Sequence, residues 1–260
     1  MNGIGAFAYE TYYLGLRATR RFLRVPANWI SIIFFPLIQL VVFSQLYKDI
    51  VQLPAFDSGG GSYLAYLAPG QVVFAAFLAV GWASYGLLVE YRNGYLDKLR
   101  SSPIGRWSIL GGEMVPLFFQ AAAMSGVILV VSLLLGASLA TGVGGFLLIL
   151  LLSGVFGLAV AGISFIPALL TKSEQATSAI SLLMFPLVFI STAFVPVALM
   201  PGWMQTVNDW NPVTYQIEAI RALMMDDYDW SAIGQALLAM AILGAFLQVG
   251  TLLAFRRLAH

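Results

Sequence analysis

Apolar residues gather in six blocks along this chain, at residues 29–47, 67–89, 114–138, 144–170, 176–199 and 231–255. Each block is near the roughly 20 residues a helix needs to cross a bilayer. The segments between them are short and polar, apart from three that carry patterns of their own. In residues 1–28, Tyr9, Tyr12, Tyr13 and Leu16 share one helical face with Leu23, and Arg17, Arg21 and Arg24 form a stripe beside it, with Arg20 on the border. That pattern predicts an amphipathic helix lying along the lipid surface rather than crossing it. Residues 90–113 hold a charged insert in which Tyr95, Leu96 and Leu99 keep helical spacing while Asp97, Lys98 and Arg100 point elsewhere. A short amphipathic helix is expected there, ended by Ser102-Pro103. Residues 200–230 are too polar to span and too aromatic for a free loop. Trp203, Trp210 and Trp230 suit the membrane–water boundary, and Pro201-Gly202 and Asn211-Pro212 punctuate a pair of short helices, re-entrant or surface-lying. The predicted fold is an all-α membrane protein, one domain over residues 1–260. It has six transmembrane helices, an N-terminal interfacial helix, a cytoplasmic helix in the 90–113 insert and outer re-entrant helices before the last span.

Charge fixes the orientation of these blocks. With the N-terminus inside, eleven of the 13 basic residues fall on the inner side and only Lys48 and Arg221 fall outside. The positive-inside rule then puts both termini in the cytoplasm. The glycine run Gly59-Gly60-Gly61 predicts a flexible outer loop.

Composition narrows the chemistry. The chain is 60% hydrophobic and 10% charged, with mean hydropathy +0.88, well below the charged content of a soluble domain. A net charge of +1 gives no case for nucleic-acid binding. There is no cysteine, and the single histidine is the last residue, His260, so thiolate metal sites and a serine–histidine pair are excluded. None of the six blocks contains Asp, Glu, Lys, Arg or His, which argues against ion-coupled transport and against an intramembrane hydrolase. No polar ring or filter segment points to a channel. No glycine–lysine phosphate loop is present either, so energy for uphill transport has to come from another chain.

Two aromatic faces are candidates for a path through the membrane. Phe34, Phe35, Gln39 and Phe43 line the first block, and Phe185, Phe189, Ser191, Thr192 and Phe194 line the fifth. They suit an amphipathic cargo or a dimer interface, with lipid contact or core packing as the plainer alternative. Prolines at 36, 69, 116, 167 and 186 interrupt five blocks and mark bendable helices. Ser153, Gly157 and Ala161 form a small-residue stripe for close helix contact.

The stretch from Glu90 through Gly94, Leu96, Asp97, Leu99, Arg100 and Ser102 to Pro103 resembles the coupling-helix motif of the ABC-2 type permeases, the membrane subunits of many ABC exporters. A second stretch is similar to that family's fifth helix and outer helices. It runs from Phe185-Pro186 through Ser191, Phe194, Pro196, Pro201-Gly202-Trp203 and Asn211-Pro212 to Tyr215, Glu218 and Arg221. The resemblance implies two permease subunits working with two cytoplasmic ATPase subunits in the plasma membrane. ATP and magnesium would sit on the ATPase and no cofactor on this chain. It implies that Glu90, Arg92, Gly94, Leu96, Asp97, Leu99, Arg100 and Pro103 form or support the ATPase contact, with Glu90 and Glu113 anchoring the insert by pairing with arginines. The short chain is similar to the daunorubicin-resistance type. It therefore implies export of an amphipathic drug, antibiotic or lipid, with a lipid-linked polysaccharide or teichoic-acid-like polymer as the alternative cargo. Passive channels and scaffolds are the competing class.

Overall fold

A computed structural model describes residues 3–24, 26–53, 56, 62–81, 84–94, 104–183 and 185–258. Among them there is no strand. The helices are α1 (Gly3–Leu23), α2 (Pro26–Leu46), α3 (Tyr63–Gly81), α4 (Ser84–Arg92), α5 (Arg106–Leu134), α6 (Gly142–Val160), α7 (Gly162–Thr171), α8 (Glu174–Leu182), α9 (Phe185–Phe189), α10 (Gly202–Asp209), α11 (Pro212–Met225) and α12 (Trp230–Leu258). Four stretches are long and apolar enough to cross a membrane: Tyr63–Arg92, Trp107–Leu134, Gly142–Thr171 and Trp230–Arg256. Two shorter apolar helices cover Ile32–Leu46 and Glu174–Phe189.

The bundle is built around α3, which is buried almost without interruption from Tyr63 to Val80. α2, α5, α6 and α11 pack on it. Two serine hydroxyls fasten neighbours to its backbone: Ser125 of α5 donates to the Val72 carbonyl at 2.8 Å, and Ser164 of α7 to the Val80 carbonyl at 3.1 Å. The small-residue stripe on α6 packs inside the chain. A side chain at Gly157 would meet the Ala121 Cβ at 2.5 Å and Val80 at 3.2 Å.

α1 presents two unlike faces. Thr11, Leu14, Gly15 and Ala18 turn toward α5, while Tyr9, Tyr12, Tyr13 and Leu23 stay exposed. The short helix pair expected after residue 200 is present as α10 and α11. Asn211 caps α11, accepting from the Val213 amide at 3.0 Å, and Pro212 fills its first position. At the other end of α11, the Ala140 amide and the Thr141 hydroxyl donate to the Met224 and Leu223 carbonyls at 2.9 and 2.7 Å. The turn between α5 and α6 thus satisfies carbonyls that the helix leaves open.

The fifth apolar block departs from expectation. A single helix over 176–199 is predicted, but α8 ends at Leu182 and α9 holds only five residues. Residues 190–195 then turn before a 3-10 turn at Val197–Leu199. An unpaired carbonyl is costly away from water, and here distant residues supply the donors. The Tyr66 hydroxyl donates to the Thr192 carbonyl and the Tyr63 hydroxyl to the Phe194 carbonyl, both at 3.1 Å. Gly70 lets the turn press directly on α3, because a Cβ there would lie 2.7 Å from both the Ala193 Cα and carbonyl oxygen. A Gly70→Ala variant is therefore expected to lose about 1–3 kcal/mol from overpacking against rigid backbone. Thermal unfolding in detergent checks this, with Gly234→Ala, which meets nothing within 4 Å, as the control that leaves the midpoint in place.

Candidate functional site

The insert expected to dock a partner leaves the bundle after α4 and rejoins it at α5. Leu96, Asp97, Leu99, Arg100 and Pro103 lie outside the described residues, as does the 59–61 glycine run. Glu90, Arg92 and Gly94 are described. Gly94 stops α4, taking a φ of 65° that suits glycine, while its amide donates to the Tyr91 carbonyl at 3.2 Å.

Both feet of the insert are held by α1. Arg17 and Arg21 both pair with the Glu90 carboxylate at close range. Arg21 also reaches Glu113 at 3.0 Å, and Arg17 approaches it at 4.0 Å. Further along the insert, Glu10 accepts from the Gly105 amide at 3.0 Å, just ahead of α5, where a negative charge also favours the helix start. The two inner glutamates are only 7% exposed, whereas the arginines are 38% and 37% exposed. This arrangement matches the pairing expected for Glu90 and Glu113. Glycines make it possible: the Arg21 guanidinium lies over Gly86, and Gly112 admits Leu14 where a Cβ would come within 2.3 Å.

The aromatic residues of the first and fifth blocks do meet. Phe74 of α3 sits between them, with ring centroids 5.9 Å from Phe35, 5.6 Å from Phe185 and 6.3 Å from Phe189. Phe189 stacks on Phe194 at 5.3 Å, and Phe194 reaches Phe43 at 6.1 Å. Phe34 faces outward instead. Gln39 is buried with its Oε1 unpartnered, and on α3 both amide atoms of Gln71 are buried without partners.

The Ser191 hydroxyl donates to the Val188 carbonyl, and Thr192 donates to Glu218. Both fasten the broken segment. Arg221 completes that fastening from α11. Its guanidinium pairs with Glu218, donates to the Thr192 carbonyl at 2.7 Å and to the Tyr66 carbonyl at 3.4 Å, and lies 4.1 Å from the centre of the Tyr66 ring. Sequence reading placed Glu218 and Arg221 in a motif without giving them this role. Their i, i+3 spacing was visible, but the carbonyls they serve were not. Tyr63, Tyr66 and Gly70 went unnoticed as one face of a helix. Two further contacts at the end of α4 were missed: Arg92 pairs with Glu174 at 2.8 Å, and the Lys172 ammonium lies 4.9 Å from the Tyr91 ring centre.

Comparison with known proteins covers both ends of this arrangement. The ABC-2 type transporter family matches residues 9–225. A daunorubicin resistance ABC transporter permease protein of Streptomyces coeruleorubidus is 28% identical over 209 residues, spanning 80% of this chain and 72% of the relative. The transport permease ycf38 of Cyanophora paradoxa is 30% identical over 223 residues, 84% of this chain and 74% of the relative. A protein of Mycobacterium tuberculosis described as "Probable doxorubicin resistance ABC transporter permease protein" is 25% identical over 224 residues, 86% and 80% of the two chains. With its long apolar helices and a family match running from α1 to the end of α11, the chain belongs to the ABC-2 type transporter family of multi-pass membrane permeases.

Proposed function

We propose that this chain is the permease half of an ATP-driven exporter, taking its energy from a cytoplasmic ATPase subunit that docks on the 90–113 insert. The observation that carries this reading is the bracing of the insert: α1 grips both of its feet through two buried glutamates. A passive connection between spans has no need of such bracing. A docking helix does, because force applied to it has to reach the bundle rather than be lost in a loose loop. The sequence contains no phosphate-binding loop, so ATP and magnesium belong to the partner.

In this reading α2 is the first span, and α8 and α9 with the turn after them are the fifth. Six spans then leave both termini in the cytoplasm of a plasma-membrane protein, with α10 and α11 re-entrant from the outer side. Non-helical backbone at membrane depth is tolerated where protein donors serve its carbonyls, as the two tyrosines and Arg221 do here. A second permease copy or a related chain completes the transporter, which works by alternating access. Phenylalanines meeting at Phe74, with the unpartnered amides of Gln39 and Gln71 about one helical turn from those rings, favour an amphipathic drug or lipid-like cargo. The drug-resistance descriptions of two relatives support the same class.

Purification of the tagged chain from its own membranes tests the reading. A separate, vanadate-sensitive ATPase is expected to co-purify, and Leu96→Asp with Leu99→Asp is expected to remove it while leaving the permease folded. A stable chain that brings down no ATPase under gentle conditions overturns the proposal.

A further inference from the structure

The last turn of α4 presents three consecutive side chains in three directions. Glu90 goes to α1, Tyr91 to Lys172 and Arg92 to Glu174. Lys172 forms the joint between α7 and α8. Its φ of 54° is the only positive value among the described non-glycine residues, and it caps the end of α7. Ser173 then starts α8, with its side chain accepting from the Ala176 amide at 3.4 Å. Glu174 is the first residue of that helix and is three-quarters buried, with its side chain 25% exposed. Beyond α8 comes the broken segment that carries Phe185, Phe189 and Phe194.

We infer that Glu174 and Lys172 are positioning residues. They join the fifth segment to the foot of the insert, so that displacement of the insert turns α8 about the Lys172 joint. This inference rests on the insert being the ATPase dock. Three features support it. The two contacts are side by side, they come from adjacent residues of α4, and they flank a joint of a single residue whose left-handed backbone lets α8 leave α7 at an angle. Glu90, by contrast, binds α1, which packs closely on α5 and gives the junction a fixed reference. One arm of the junction is therefore braced, and the other ends on a helix of nine residues, beyond which lie the five-residue α9 and the turn at 190–195.

The chain has no cysteine, so two introduced cysteines report without background. Spin labels on the exposed positions Leu182 of α8 and Leu238 of α12 measure how α8 sits against the last helix in the complete complex with its ATPase. Trapping with magnesium, ATP and vanadate is expected to shift that distance on the order of 5 Å, the size of a one-turn displacement. Glu174→Gln is expected to abolish the shift with ATPase binding and basal hydrolysis unchanged, and Glu174→Asp to keep it. Transported doxorubicin per ATP is expected to fall about tenfold in Glu174→Gln. Lys172→Gly removes the ring contact while keeping the backbone geometry, and is expected to reduce the shift without lowering membrane levels. The inference is overturned if α8 does not move on trapping, or if it moves equally in Glu174→Gln and Lys172→Gly. Failure of the ATPase to co-purify with the parent chain refutes the docking reading instead, so the two failures are distinguishable.

Discussion

Replacing Arg21 with methionine is expected to loosen α1 from the bundle and to lower the stability of the chain by about 2 kcal/mol. Removing one partner of a buried ion pair costs roughly 3–5 kcal/mol, because the other charge stays buried without compensation. Here the carboxylates are buried but the arginines are more than a third exposed, so water and salt take part of that away. Arg17 stays close to Glu90 but reaches Glu113 only at 4.0 Å, which leaves Glu113 the poorer. Adding Glu113→Gln removes the orphaned charge and is expected to recover part of the loss. A double-mutant cycle should then report coupling of about 1 kcal/mol or more. Thermal unfolding supplies the energies, and amide exchange over residues 3–23 reports whether α1 is the part that opens. An Arg21→Met chain with unchanged exchange in α1 would remove the clamp from this account.

The second large effect is expected at the opposite end of the bundle. Arg221→Met strips donors from the Thr192 and Tyr66 carbonyls and leaves Glu218 without its cation. The expected cost is about 3 kcal/mol, built from buried acceptors losing charged donors at about 1–3 kcal/mol each. Glu218 adds little to that sum, because it lines a cavity of about 340 Å³ with Asp209, Tyr215 and Gln235 and is 43% exposed. Arg221→Lys keeps the charge but cannot serve both carbonyls from a planar fork, so about half the loss is expected to remain. Transport is expected to fail in the methionine variant while the ATPase still binds, since Tyr66 and Glu90 lie on the order of 35 Å apart along α3 and α4. Loss of ATPase binding in Arg221→Met would mean that the two ends are not separable in this way.

These sites differ in how far the amino-acid order foretold them. The clamp was legible because its parts are local patterns. Arginines at helical spacing sit beside an aromatic face, and two glutamates sit at the polar edges of apolar blocks, where a buried carboxylate requires a cation. The broken fifth segment was not legible. Proline is a poor guide to it, since Pro36, Pro69, Pro116 and Pro167 all lie inside helices that continue through them. The break depends on Tyr63, Tyr66 and Gly70, more than a hundred residues earlier, and on Arg221 after it. A donor supplied from that distance leaves no mark in the local pattern. For the same reason the local pattern shows nothing of the bonds that the Ser191 and Thr192 hydroxyls make to nearby backbone and to Glu218. Asn211 joins the same network, its amide donating to the Leu187 carbonyl at 2.5 Å.

The near-complete enclosure of α3 has a consequence for how such a chain can evolve. A helix with no free side offers almost no position where a substitution is felt by one neighbour only. The Phe74 ring meets α2 and α9, the Val80 side chain lies against Gly157 of α6, and Gly70 is pressed by the broken turn. Single changes there need a compensating change on another helix before they become tolerable. α12 is the reverse case. Only 22% of its apolar window is buried, and Leu238, Ile242, Phe246 and Val249 face outward, where one hydrocarbon replaces another at little cost. A lineage adapting to a new cargo would therefore drift freely along its last helix while α3 changed slowly and in coordinated steps.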